Sequence, residues 1–156
     1  MIVIIAALLL GIVAGLRAMT APAVLAWAAQ LGWVHLDGTA LAFMGWKWTP
    51  WIFTLLAMGE LFTDQLPTTP SRKVPVQFAT RVIVGGYCGA ALGLAAGALW
   101  GGLIAGVVGA VIGTLGGAAA RAGMARAFGS DRPAAIIEDL VAIAGGLAIV
   151  CCLGHG

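Results

Sequence analysis

The chain has 156 residues, 62% of them hydrophobic and 9% charged, with a mean hydropathy of +1.06 and a formal charge of +2. Soluble domains carry about 25% charged residues, so the composition excludes an ordinary soluble domain and points to an integral membrane protein. Its eight Lys and Arg residues form neither a polybasic tract nor a face interleaved with exposed aromatics, which argues against nucleic-acid binding.

A spanning helix needs roughly 20 apolar residues. The chain therefore reads as one all-α domain, a polytopic transmembrane helix bundle of five to six segments at about residues 2–16, 21–33, 50–66, 80–100, 101–127 and 133–153. The opening run MIVIIAALLLGIVAG has the apolar core of a signal peptide but no preceding basic residue, and is expected to be a retained helix rather than one cleaved near Ala21. It ends at Gly15-Leu16-Arg17. Thr20 is the expected cap of a second helix whose first turn accepts Pro22. That segment, about 20 Å long, is short for a roughly 30 Å hydrocarbon layer, so it is either a short crossing or a re-entrant half-helix.

A Trp- and Gly-rich loop containing His35 and Asp37 leads to the third helix, which starts at Pro50. The stretch Pro67–Pro75 reads as a polar, basic loop, because its prolines remove backbone donors and constrain their neighbours. The fourth segment carries glycine at 85, 89, 93 and 97, continuing to 101. The fifth carries it at 102, 106, 109, 113 and 117. Such spacing lays a groove along each helix and predicts a glycine-zipper hairpin. Cys88, Cys151 and Cys152 belong to no CxxC pattern and read as small apolar side chains.

With six crossings, Arg17, Arg72, Lys73, Arg81, Arg121, Arg126 and Arg132 share one side and Lys47 alone lies opposite. The positive-inside rule makes the richer side cytoplasmic, with both termini outside and most tryptophans at the outer interface. A re-entrant second segment changes the split to six against two and moves the amino terminus inside. The charge split favours six crossings.

Two helices carry acids where lipid or packed helices are expected: Glu60 and Asp64, and Glu138 and Asp139. An ionised carboxylate at membrane depth costs several kcal/mol unless it is paired, protonated or hydrated, so each marks a candidate functional site. Glu60 and Asp64, four apart, share a helix face. Arg17, Arg81, Arg121 and Arg126 lie at segment ends near the same level, and ion pairs that fix helix register are the structural alternative. Four Arg against four carboxylates leave no surplus, so the count cannot choose between a proton or cation path and an anion or lipid-phosphate site. Serines lie only in loops and the two histidines are isolated, which argues against an enzyme, a metal site or a cofactor.

The motifs Gly15-Leu16-Arg17, Glu60-Leu61 with Asp64 and Pro67, Ala120-Arg121-Ala122-Gly123, and Ser130 with Glu138-Asp139 resemble a bacterial family of small membrane proteins known as a domain of unknown function, DUF4126-like, over about residues 10–150. The resemblance implies a multi-helix inner-membrane protein and no established activity. The expected function is a small ion or solute transporter or channel embedded in the lipid bilayer as a homo-oligomer. Glu60, Asp64, Glu138 and Asp139 would line or gate its polar site, with Arg17 and Arg121 as counter-charges. The alternative is a non-transporting module that binds lipid headgroups or a partner protein. A weak echo between the helices ending at Arg17 and Arg121 suggests an inverted repeat.

Overall fold

A computed structural model describes residues 1–66 and 74–155. The proline-rich loop lies, apart from Val74 and Pro75, outside these described residues, as do Arg72 and Lys73. Among the described residues there are six α-helices and no strand: α1 (Ile2–Leu16), α2 (Thr20–Gln30), α3 (Thr49–Thr63), α4 (Pro75–Ala95), α5 (Leu99–Phe128) and α6 (Asp131–Gly154). A single 3-10 turn, Ala42–Gly45, precedes α3. Three helices, α4, α5 and α6, are long and apolar enough to cross a membrane. The 15-residue α1 is a shorter apolar helix.

Glycine sets the packing of α1, α4 and α5. Gly85 lies against Ala110 and Gly106, Gly89 against Gly102 and Gly106, and Gly93 against Ala98 and Gly102, so α4 and α5 are antiparallel. Gly11 lies against Gly106, and Gly15 against Ala110 and Thr114, so α1 and α5 are parallel. A Cβ on Gly15 would sit 2.5 Å from the Ala110 carbonyl oxygen and 2.6 Å from the Thr114 nitrogen, closer than real Cβ atoms approach. The sequence spacing assigns all the α5 glycines to a hairpin with α4, but the structure divides them. Gly102 and Gly106 meet α4, whereas Gly109 and Gly113 meet the α1 backbone at Leu8 and Ile12. A stripe without side chains has room for two backbones. Gly97, expected to continue the α4 stripe, instead turns the chain with φ +69°, a conformation glycine adopts without a Cβ penalty.

The remaining helices complete an alternating up-and-down order. On α6, Asp139 reaches Arg17 and Gly146 packs on Val24 and Val13, so α6 runs opposite to α1. α2 runs alongside α6, bringing Trp33 against Gly154 and within 6.0 Å, ring to ring, of His155. It does not turn back on itself. α3 then returns beside α2, with the Trp27 indole donating to Thr54 Oγ1 at 3.0 Å and stacking edge-on against Trp51 at 5.1 Å. One end of the bundle thus gathers Trp33, Trp46, Trp48, Trp51 and Trp100. The other gathers Arg17, Arg81 and Arg121 with the acids. Three reversals of direction at α2, α3 and α4, and a fourth at α5, make α1 and α5 parallel. The expected inverted repeat is therefore overturned, because it requires these two helices to be antiparallel.

Gly106→Val is expected to lower the thermal stability of the detergent-solubilised protein by about 1–3 kcal/mol, the usual cost of overpacking, because a Cβ there meets the Gly85 carbonyl and lies 2.9 Å from Gly89 Cα. Gly116→Ala, where nothing lies within 4 Å of the added carbon, is expected to leave the melting curve unchanged or move it upward.

Candidate functional site

The site begins at a break in the chain. α1 ends at Leu16, Arg17 is extended at φ −141°, and α2 starts three residues later. A helix end exposes carbonyls and a helix start exposes N–H groups, so this corner has both signs of partial charge to satisfy away from water. The sequence assigns the cap of α2 to Thr20. In the structure Thr20 is already helical and makes no cap, because a side chain from another helix has taken that role. Glu60 on α3 accepts from the Ala18 N–H at 2.9 Å with Oε1 and from the Met19 N–H at 2.8 Å with Oε2. The carbonyls of α1 are met from α4: Arg81 Nη1 donates to Gly15 O at 2.9 Å and Leu16 O at 2.6 Å. Thr114 on α5 adds a hydroxyl bond to Gly15 O at 3.3 Å. Charge-assisted bonds of this kind are about twice as strong as neutral ones, and each lies where the helix dipole favours its sign.

Arg17 itself points into the bundle and is fully buried. Its Nη1 pairs with Asp64 Oδ2 at the end of α3, and its Nη2 pairs with Asp139 Oδ1 on α6. Arg81 Nη2 stands 3.6 Å from Glu60 Oε1. A second tier lies farther out. Gly15 is level with Ala110 and Thr114, so Arg121, seven residues on, sits roughly 10 Å beyond the corner. Its Nε and Nη2 donate to Asp131 Oδ1 and Oδ2 at 2.9 and 2.6 Å, and its Nη1 is 3.6 Å from Glu138 Oε2. Because Glu138 directly precedes Asp139 on α6, the two groups of ion pairs adjoin, with the Arg121 backbone farther out since α1 stops well short of the end of α5.

Of the six candidate residues, Arg17, Asp64 and Asp139 form one ion triad, and Glu60 joins them through the corner backbone. Arg121 and Glu138 form the outer tier. Sequence reasoning left Arg81 and Asp131 out of the site. Asp131 directly precedes the α6 body and faces back across the Gly129 turn (φ +67°) to the last turns of α5. His35 and Asp37 lie exposed in the loop at the tryptophan end, away from this cluster.

These positions settle which described side chains make up the cluster. Among the described residues, three guanidiniums, Arg17, Arg81 and Arg121, face five carboxylates, Glu60, Asp64, Asp131, Glu138 and Asp139. The membership differs from the sequence count, because Asp131 joins the cluster while Arg126 is exposed near the end of α5. Accessibility divides by sign as well. In the inner tier the Arg17 and Arg81 side chains are 0% and 3% exposed, whereas those of Glu60, Asp64 and Asp139 are 14–15% exposed. The reachable part of the inner cluster is acidic.

Comparison with known proteins places the chain in a family. The model of the family described as Domain of unknown function (DUF4126) matches residues 4–152, and the chain belongs to that family. No curated protein matches it, and no solved structure does.

Replacing Arg17 by Gln removes the partner of two carboxylates at once. It is expected to cost about 3–5 kcal/mol, as breaking a buried pair does. Arg121→Gln loses Asp131, which is 60% exposed, and only a longer 3.6 Å contact with Glu138, and is expected to cost less than Arg17→Gln, about 1 kcal/mol. Thermal unfolding of both variants in one detergent checks the order.

Proposed function

We propose that this member of the DUF4126 family is a small membrane transporter or channel for protons or small monovalent cations, in which Asp64, Asp139, Glu60 and Glu138 form the ion site and Arg17, Arg81 and Arg121 hold them in place. The observation that carries the reading is the accessibility of the inner cluster, where the Glu60, Asp64 and Asp139 side chains are 14–15% exposed while Arg17 and Arg81 are buried. Among the described residues the inner cluster sets three carboxylates against two guanidiniums, so one proton or one monovalent cation makes it neutral, and neutrality is what a low-dielectric surrounding favours. The same surplus disfavours an anion or lipid-phosphate site. No enzyme chemistry is needed.

In this reading all six helices cross the inner membrane. The 11-residue α2, about 16 Å long, makes the thinnest crossing. Arg17, Arg81, Arg121, Arg126 and Arg132 belong to the polar end and Lys47 to the tryptophan end, which supports a cytoplasmic polar end with both termini outside. The glycine stripes of α4 and α5 act as a zipper that holds the bundle rigid around the site.

Purified protein in liposomes, read with an internal pH dye under a potassium or sodium gradient, is expected to carry cation or proton flux. Asp64→Asn and Asp139→Asn are expected to abolish it while the protein still elutes as a folded species. Unchanged flux in both variants would remove the acids from the mechanism, and absence of flux together with anionic lipid retained through purification would favour the lipid-binding role. Orientation has its own test. A membrane-impermeant thiol reagent applied from outside is expected to label Cys151 and Cys152, which are exposed near the tryptophan end, and not Cys88, which is buried. Labelling only after the membrane is opened would reverse the assigned topology.

A further inference from the structure

The acid cluster has an apolar continuation. α2 forms the floor, and α3 and α6 the walls, of a groove of about 210 Å³. Its walls lie on the same helix stripes as the carboxylates. On α3, Ala57, Leu61 and Asp64 are four and three residues apart, and on α6, Asp139, Ile143 and Leu147 are four apart. The end of the groove marked by Thr20, Leu61 and Ile143 therefore lies about one helical turn from Asp64 and Asp139 where they hold Arg17. The lining is apolar apart from two hydroxyls. Thr54 is satisfied by the Trp27 indole and by Pro50 O at 2.7 Å. Thr20, at the end of the floor nearest the cluster, is 4% exposed, and its Oγ1 has no hydrogen-bond partner among the described residues. A buried hydroxyl left unsatisfied costs about 1–3 kcal/mol, so this position favours a ligand with a polar atom there.

Charge complements shape. Around the head of the groove stand three carboxylates, Glu60, Asp64 and Asp139, and two guanidiniums, Arg17 and Arg81, a surplus of one negative charge on its more accessible side. We propose that the groove binds one lipophilic amine in its protonated form, taken from the bilayer. Its apolar chain lies between α3 and α6, and its ammonium group meets Asp64 and Asp139 while donating an N–H to Thr20 Oγ1. This rests on the cation reading of the acid cluster and names a substrate class for it. An alkyl chain enters a site lined by aliphatic side chains without losing hydrogen bonds, while the ammonium replaces its hydration with carboxylate and hydroxyl partners.

Thermal unfolding in a neutral maltoside detergent, with decylammonium, decanol or decanoate added at equal concentrations, tests the assignment, since a ligand bound only by the folded state raises the midpoint. Decylammonium is expected to give a saturable rise that fits one site, with decanol and decanoate giving none. Asp64→Asn, which removes the surplus charge, and Ala57→Trp, which fills the groove without touching the cluster, are each expected to abolish the rise. Proton flux persisting in Ala57→Trp would support the groove as the seat of the amine, separate from the ion site. An equal rise with decanol would make the groove a seat for lipid chains and overturn the proposal. No rise with any of the three in wild-type protein that still carries flux would overturn it as well, leaving the cation reading standing.

Discussion

A guanidinium buried at a helix corner is the constraint from which the polar half of this protein follows. Arg17 is fully enclosed, and an arginine cannot shed its proton to become neutral. Opposite charge has to come to it, and it comes from two other helices, Asp64 at the end of α3 and Asp139 on α6. The corner that holds Arg17 also leaves N–H groups and carbonyls without helical partners. Glu60 and Arg81 meet them from α3 and α4. One chain break thus fixes where four other segments must converge.

Its opposite is the apolar half, where no directional interaction is needed. Glycine along α4 and α5 lets three backbones approach to the limit of contact, and lipid tails give helices no hydrophobic reason to associate, so dispersion at close range is what holds them. This tight group stops at α3, which packs on α2 and the Ala42–Gly45 turn. At the tryptophan end, α3 is tied by the contacts of Trp27 with Thr54 and Trp51. At the polar end it is tied by Glu60 and Asp64. Because α3 stands away from α6, a groove remains between them, and the same separation leaves the carboxylates partly reachable. The guanidiniums of Arg17 and Arg81, nearer the bundle axis, are enclosed. The sign of the accessible surface is a consequence of which helices are short and which are closely packed.

Much of the candidate site was legible before any fold was known. Carboxylates inside apolar segments are rare enough that Glu60, Asp64, Glu138 and Asp139 identify themselves, and a small-residue helix ending in Arg marks a corner only when followed by Thr20 and Pro22. The partners were not legible. The balanced count of charges weighed Arg126 with the rest and passed over Asp131, since nothing in the sequence says that one is exposed while the other turns back across Gly129 to Arg121. Thr20 has every local feature of an N-cap and lost the role to Glu60, a residue 40 positions away in the chain.

The sequence by itself determined the membrane class, the breaks between helices, the helical character of every segment and the positions of the buried charges. These depend on composition and on neighbours within a few residues, where hydropathy and backbone propensity act. Only the tertiary structure decided that α1 and α5 run parallel, that Arg17 and Arg81 lie inside Glu60, Asp64 and Asp139, and that Asp131 turns back to Arg121. Those outcomes depend on distances between residues remote in the chain. Ion pairs and glycine contacts are set by the depth at which each helix starts and stops against its neighbours, and no local pattern encodes that depth.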